Sequence, residues 1–418
     1  MRPKSTRFFA LTAVTIAATA LAACSANSST NSSGGGGGKS TITIGTSLSL
    51  TGDFSADGQA FQRGYNLWVD QVNAHGGLLG HKVVLKVVND NSDPGTVTTN
   101  YTQLIGSDKV NFVVGPFSSL LTAPAAQVAA RYHYAFIEGA GGAPSVFALK
   151  LPNLFAVSPP VAMQLLPFAK WIASLPASQR PKTAAYPMVT DPFADPMVQN
   201  AQKLIQAAGV KTVYSKIFPA ENPDYKAGAD QVAALHPDLV LLGSVDVPTV
   251  ASFMNAFEQQ HFTPKILAAS GGPDQGAAFL SAVGAKNATG TMVPNGWYPG
   301  VPTPMSQAFV KAYIAKYGGN VAGINNDAGE AYSVGQALTA AVTATKSLDN
   351  AKIISYLHSG ATLQTVEGPA KFNSIGENVL ASIYTFQWQK GGKFVQVLPP
   401  TAHGSVPVVN PKPAWGQG

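Results

Sequence analysis

The chain has 418 residues, of which 45% are apolar and 11% are charged, a balance that excludes an intrinsically disordered chain and suits two domains with real cores. The net charge of +6 is spread thinly, without clusters of Lys and Arg interleaved with aromatic residues. We therefore predict no nucleic-acid partner.

The first residues have the features of a targeting segment. Arg2, Lys4 and Arg7 precede an apolar stretch at residues 8–23, which is short for a membrane span of roughly 20 residues. The sequence ending in Cys24 resembles a bacterial lipobox, with an ordinary secretory signal as the alternative. We predict a signal peptide at 1–23, a lipid on Cys24 and a flexible Ser- and Gly-rich tether at 24–39. Since Cys24 is the only cysteine, we expect no internal disulfide.

The first folded part alternates strands and helices. Strands are predicted at residues 41–50, 82–88, 112–114 and 134–137, and amphipathic helices fill the intervals. This βαβαβαβ order predicts a parallel sheet with right-handed crossovers.

A second alternating series follows a β-rich segment at 154–158. Strands are predicted at 183–189, 211–218, 239–243 and 266–269, and helices at 161–174, 195–208, 224–234, 248–260 and 275–283. Two such blocks predict two similar lobes. After an apolar run at 291–297 come helices at 304–317, 329–345 and 350–357, strands at 383–389 and 393–398, and a Pro-rich tail at 400–418 that we expect to be loose.

Polar and aromatic residues follow the predicted strands where ligands bind in parallel sheets. Ser118 and Ser119 begin a helix after the strand at 112–114, so their hydroxyls and the free N–H groups suit a carboxylate or another polar group. Helix capping alone is the alternative. Phe117, Phe193 and Trp297 also lie in loops after β runs, which favours an aromatic-lined cleft over core packing.

The blocks IGTSLSLTGDFSADGQAFQRGYNLWVDQVNAHGGLLGHKVVLKVVNDNSDP, GPFSSLLTAPAA and GAGGAP resemble those of the type I periplasmic binding proteins. These are the substrate-binding components of branched-chain amino acid ABC transporters. The resemblance implies an α/β fold with two Rossmann-like lobes joined by a three-crossing hinge. The implied lobes are 40–155 plus 296–379, and 156–295 plus 380–399.

The resemblance also implies a binding pocket. Ser119 matches a serine that contacts the ligand carboxylate, and Ala140 matches a position whose backbone contacts the ligand. Gly142 stands where the amino acid binders have a threonine, and Gly141 beside it leaves room for close backbone approach. Phe193 replaces a tyrosine of the second lobe.

The same resemblance gives no acid for a ligand ammonium group. Ser270 aligns with the family's acidic residue and carries no charge, while Asp57 replaces an aromatic residue that covers the ligand. Asp57, Glu138 and Asp327 would supply a replacement charge only if they point inward.

We interpret the chain as the extracytoplasmic, lipid-anchored solute-binding component of an ABC importer. It would capture an amino acid, an amide or a related carboxylate as a monomer and deliver it to a permease whose ATPase is another chain. We predict no cofactor, no metal and no enzymatic activity, because the histidines lack metal-ligand spacing, the glycine run at 139–142 fails as a dinucleotide fingerprint and no G-x-S-x-G elbow occurs. A ligand sensor for a signalling partner and a secreted α/β enzyme remain the alternatives.

Overall fold

The computed structural model of the protein describes residues 40–219 and 224–418. The predicted signal peptide, Cys24 and the tether lie outside the described residues. Within them, no helix combines the length and the apolar character that a membrane span requires.

The first lobe is built on a five-stranded sheet whose hydrogen-bonded pairs are all parallel, as the alternating pattern predicts. The strands are β1 (Ile42–Leu48), β2 (Val83–Asn89), β3 (Phe112–Val114), β4 (Phe136–Glu138) and β5 (Leu154–Ala156), in the spatial order β2-β1-β3-β4-β5. The intervening helices are α1 (Ser55–Ala74), α2 (Pro94–Gly106), α3 (Ser119–Arg131) and α4 (Pro144–Phe147). The turns after β3 and β4 lie side by side, since the Gly115 N–H donates to the Ile137 carbonyl at 2.9 Å.

The chain then enters the second lobe. Its strands there are β6 (Thr183–Val189), β7 (Lys211–Phe218), β8 (Leu239–Leu242), β9 (Ile266–Ala269) and β10 (Thr291–Asn295). The helices are α5 (Leu166–Ser174), α6 (Ala194–Ala207), α7 (Tyr225–Ala234), α8 (Val247–Gln259), α9 (Ala277–Val283) and α10 (Ala285–Ala288).

After β10 the chain returns to the first lobe and then crosses again. The returning elements are α11 (Pro304–Tyr317), α12 (Asp327–Thr345), α13 (Asn350–Leu357) and the short hairpin β11 (Leu363–Thr365) and β12 (Gly368–Ala370). Strands β13 (Tyr384–Gln389) and β14 (Lys393–Leu398) then complete a seven-stranded sheet of order β14-β13-β10-β9-β8-β6-β7. The last two strands run antiparallel, so the second sheet is mixed.

The two sheets belong to separate lobes with separate buried clusters. One cluster surrounds the first sheet together with α11 to α13, and two others cover the faces of the second sheet. The chain passes between the lobes after β5, after β10 and before β13, which agrees with the expected three crossings. The residue boundaries proposed for the lobes stay predictions.

Helices α1 and α12 pack closely because glycines lie at their contact. A Cβ added to Gly335 would lie 2.2 Å from Cδ2 of Trp68, and one added to Gly64 would lie 2.2 Å from the Ala328 carbonyl oxygen. The Trp68 indole is fully buried and donates to the Thr339 hydroxyl at 2.9 Å. Most of α12 is buried, so close packing, including the contact with α1, fixes its position.

The tail at 400–418, which we predicted to be loose, has no helix or strand, but some of its residues contact the second lobe. The buried Lys412 ammonium donates to the carbonyls of Asn287 and Thr289, each at 2.6 Å, and lies over the Trp415 ring. The Trp415 indole donates to the Phe262 carbonyl at 2.7 Å. The Trp415 indole and the aliphatic part of the Lys412 side chain bury apolar surface, and this burial can hold a segment in place even when its composition is rich in proline.

We expect Gly335→Ala to lower the free energy of unfolding by about 1–3 kcal/mol, because the added methyl group would force α1 and α12 apart. Thermal unfolding followed by circular dichroism measures the change. Gly106→Ala, also helical but with its nearest neighbour at 3.4 Å, is the control and should unfold at or above the wild-type temperature. Equal stability of the two variants would contradict the packing argument.

Candidate functional site

A small cavity of about 40 Å³ lies between the two lobes. The first lobe contributes Phe117, Ser118, Gly139, Ala140, Gly142, Asp327 and Glu330 to its wall. The second lobe and the crossing segments contribute Ser158, Val161, Gln164, Phe193, Val245, Gly271, Asp274, Gln275, Pro294 and Asn295. The wall thus combines the carboxyl ends of strands from both sheets, where parallel α/β folds bind ligands.

Ser118 places a hydroxyl group in the wall at the start of α3. Its side-chain oxygen caps the helix by accepting from the Leu121 N–H at 3.4 Å. Within the described ranges the hydroxyl proton has no acceptor, so it remains able to donate to a ligand. The backbone there has φ +74° and ψ 151°, a strained conformation for a side-chain-bearing residue that is typical of functional sites.

Ser119 lies beneath the wall and not in it. Its hydroxyl oxygen accepts from the Ala143 N–H at 3.2 Å, which ties α3 to the glycine-rich turn. Gly141 is also behind the wall, where its N–H donates to the Glu138 carboxylate and its Cα faces Thr122 too closely for a side chain. The structure therefore places Ser118, and not Ser119, in the cavity wall.

The cavity has carboxylates on both of its sides. Asp327 and Glu330 come from the first turn of α12 in the first lobe, and Asp274 follows β9 in the second lobe. The Asn295 amide lies between the lobes and donates to Asp274 at 3.0 Å and to Glu330 at 3.3 Å. One neutral amide thus holds acids from opposite lobes together.

Asp57 lies immediately behind this group and also connects the lobes. Its carboxylate accepts from the Gln275 amide of the second lobe at 2.9 Å and from the Asn325 amide of the first lobe at 3.1 Å. It is fully buried but forms no part of the wall. The Asn326 N–H adds a further contact across the cleft to the Asp274 carbonyl at 3.3 Å. These contacts describe a closed arrangement of the lobes.

Burial raises the pKa of every acid in this group. It raises the pKa of Asp274 to about 7, with a contribution from the charge on Asp327. The pKa values of Asp57 and Glu330 are raised well above their usual range by burial and then by the charge on Asp327, and burial also raises that of Asp327. The cause is physical: carboxylates are removed from water without a cation beside them.

Some of the predicted aromatic and serine residues line the cavity, and others are buried elsewhere. Phe117 and Phe193 contribute to the wall, and the Phe117 ring packs edge-on against Phe54 at 5.6 Å. Trp297 is instead a core residue whose indole donates to the Ser306 hydroxyl at 3.0 Å. Ser270 is buried outside the wall, where its hydroxyl donates to the Ser244 carbonyl at 2.6 Å.

The predicted site residues are therefore only partly brought together. The wall contains Phe117, Ser118, Ala140, Gly142 and Phe193, and it lacks Ser119, Gly141, Ser270, Asp57 and Trp297.

Sequence reasoning missed most of the polar residues that the second lobe contributes, among them Asp274, Gln275 and Asn295. Glu330 was also missed, although an acid within the largely apolar helix α12 was a usable signal. Asp327, named as a possible inward-facing acid, does line the cavity, whereas Glu138 is buried behind it.

The comparisons with known proteins agree with this architecture. The family model described as periplasmic binding protein matches residues 41–393. The chain belongs to this family. Its similarity to Leu/Ile/Val-binding protein BraC3 of Rhizobium johnstonii is 24% identity, covering 84% of this chain and 92% of that protein. The chain is also 26% identical to Leu/Ile/Val-binding protein homolog 8 of Brucella abortus, over 86% of this chain and 91% of that protein.

Solved structures of transporter solute-binding proteins share the fold. The branched-chain amino acid transporter substrate-binding protein LivJ of Streptococcus pneumoniae, in complex with isoleucine, superposes with a TM-score of 0.74 at 20% identity, covering 89% of this chain and 100% of that one. A solute-binding protein of an ABC transporter from R. palustris, in complex with benzoate, superposes with a TM-score of 0.72 at 20% identity. The match covers 90% of this chain and 98% of that one. The two-lobed α/β fold inferred from the sequence is confirmed.

Glu138 allows the effect of burial on an acid next to the cavity to be measured. Burial raises its pKa from 4.5 to about 8, although N–H groups of the following turn hold its carboxylate. Its contribution to stability is therefore present below pH 4.5 and is lost as the pH rises toward 8. We expect Glu138→Gln, which stays neutral, to unfold at a higher temperature than the wild type at pH 9 and at a similar temperature at pH 5. Parallel pH profiles of the melting temperature for the two proteins would contradict this account.

Proposed function

We propose that this protein captures a small polar organic solute in the cleft between its lobes and delivers it to the membrane permease of an ABC importer. The observation that carries the proposal is the closed cavity with polar groups from both lobes in a chain that belongs to the periplasmic binding protein family. The proposed solutes are amino acids, amides and related carboxylates.

The geometry suits capture by closure of two lobes. Contacts such as Gln275 to Asp57 and Asn295 to Glu330 join groups from opposite lobes and are lost when the lobes separate. A solute that adds favourable contacts to both walls stabilises the closed form over the open one. Closure also removes water, which strengthens the polar contacts to the solute.

Similar proteins support this class of solute. Curated relatives are named as Leu/Ile/Val-binding proteins, and solved relatives hold isoleucine or benzoate. Ser118, the backbone at Ala140 and Gly142, and the ring of Phe193 are the groups that we propose contact the solute. The Ser118 hydroxyl would donate to a carboxylate or carbonyl oxygen.

The location follows the same proposal. Residues 1–23 would direct export, and a lipid on Cys24 would hold the monomeric protein at the outer face of the membrane beside its permease. ATP hydrolysis would belong to a separate subunit. No specific observation on the described residues favours the signalling sensor or the secreted enzyme.

A thermal-shift screen tests the function. Against amino acids, amides, short carboxylates and amines, we expect at least one compound to stabilise the protein, by about 2.7 kcal/mol at 100 times its dissociation constant. Small-angle scattering should then show a more compact particle with the compound bound. Absence of any stabilising compound across these classes would count against a solute-binding role.

The contact at Ser118 is tested with the most strongly stabilising compound of that screen. Ser118→Ala should raise its Kd about tenfold by calorimetry, because one hydrogen bond to a polar solute group is lost. The control is Asp93→Ala, which removes an exposed cap of α2 that accepts from the Thr96 N–H at 2.6 Å. It should lower stability but leave Kd unchanged. Equal Kd values for wild type and Ser118→Ala would remove Ser118 from the binding site.

The anchor is tested by Cys24→Ser. When the full chain is expressed in a lipoprotein-processing bacterium, the wild type should sediment with membranes and the variant should not, because a serine cannot accept the thioether-linked lipid. Detergent should release the wild type. Membrane association of both proteins to the same extent would contradict lipidation at Cys24.

A further inference from the structure

The cavity wall carries several acids without a positive partner. Asp274, Asp327 and Glu330 contribute three carboxyl groups from the two lobes, with Asp57 directly behind them. None of the described residues that form the wall is a lysine, an arginine or a histidine. A buried carboxyl group is either protonated or paired with a cation, and the wall itself supplies no cation.

Hydrogen-bond acceptors without a donor in the wall independently indicate that the solute supplies donors. Oδ2 of Asp327, Oε1 of Gln275 and the hydroxyl oxygen of Ser158 are buried and have no partner within the described chain. Two of the three are pure acceptors, and all three residues line the cavity. A solute that fits this wall therefore brings N–H donors.

The protein's own donors do not remove the charge. Asn295 serves both Asp274 and Glu330, while Gln275 and Asn325 serve Asp57. These amides are neutral, so they orient the carboxylates without neutralising them. Closing the cleft consequently brings acids from the two lobes together in a poorly hydrated space, where their ionised forms repel one another.

We propose that the solute is a compact, net-cationic organic compound, such as a diamine, a basic amino acid or a guanidino compound, whose charged nitrogen lies between Asp274, Asp327 and Glu330 and permits the lobes to close. This rests on the proposed capture of a solute in the cleft and redefines the solute class by its positive charge, which admits amines that lack a carboxylate. An aromatic or aliphatic carboxylate without a nitrogen cation does not meet the charge requirement, and a zwitterion meets it only in part.

A matched series of probes tests the charge requirement: 1,4-diaminobutane, L-ornithine, L-norvaline and pentanoate. The last three share a five-carbon chain and carry net charges of +1, 0 and −1 near neutral pH. The melting temperature should rise most with the cationic probes and least with pentanoate. A larger shift with norvaline or pentanoate than with ornithine would overturn the proposal while leaving solute binding itself intact.

Replacing an acid of the wall by its amide tests whether that residue contacts the cationic group of the solute. Asp327→Asn and Glu330→Gln should each raise the Kd of the tightest cationic probe about 10- to 100-fold, as expected for losing a charged hydrogen bond. Asp70→Asn is the matched control, because it removes an acid of the same lobe whose side chain is 59% exposed. It should leave Kd unchanged, and equal losses in all three variants would overturn the assignment.

The ligand-free protein gives a result even if none of these probes binds. The acids facing one another are Asp57, Asp274, Asp327 and Glu330, with Glu138 and Glu367 buried behind them.

Because burial favours their protonated forms, protons replace the missing cation at low pH, and the closed form is lost as the pH rises through 7 and 8. We expect a larger radius of gyration at pH 9 than at pH 5, and a smaller change in the double variant Asp327→Asn/Glu330→Gln, which keeps Asp57 and Asp274 but removes two of the four facing acids. A wild-type radius independent of pH would overturn the charge requirement for closure.

Discussion

The closed form of this protein depends on neutral amides that bridge acids across the cleft. Asn295 holds Asp274 and Glu330, and Gln275 reaches Asp57 from the opposite lobe. An amide satisfies the geometry of a carboxylate but does not neutralise it, so these acids have raised pKa values in the closed form. Closure is therefore a balance that a small cation, or protons, can shift. This balance links the stability of the lobe contact to the identity of the solute.

The position of the acids is set by the packing of α12. The helix is held against α1 by the contact between Gly335 and Trp68, and its first turn then presents Asp327 and Glu330 to the cavity. A site on a buried helix is held more precisely than one on a loop, so these two acids keep a fixed spacing. On the opposite wall, Asp274 and Gln275 lie in the turn before α9.

Sequence periodicity predicted the sheets well because local patterning decides them. The strand at 183–189 and the helix at 304–317 were correct to the residue, whereas the short hairpin β11–β12 was missed because it has too few residues for a pattern.

The candidate site was only partly predictable from sequence. Ser118 was found because a serine after a buried strand and before a helix is a local signal. Asp274 and Glu330 become neighbours only when the lobes pack, and Trp297 looked like a cleft residue because its partners Ser306 and Phe309 follow later in the chain.

The three crossings between the lobes have a consequence for how the chain is made. Neither lobe is a continuous segment, so the first sheet is synthesised long before α12, which covers Trp68, exists. During synthesis the apolar face of α1 remains without its partner for more than half of the chain, which exposes a surface prone to aggregation. The topology thus delays the burial of this face until α12 has been made.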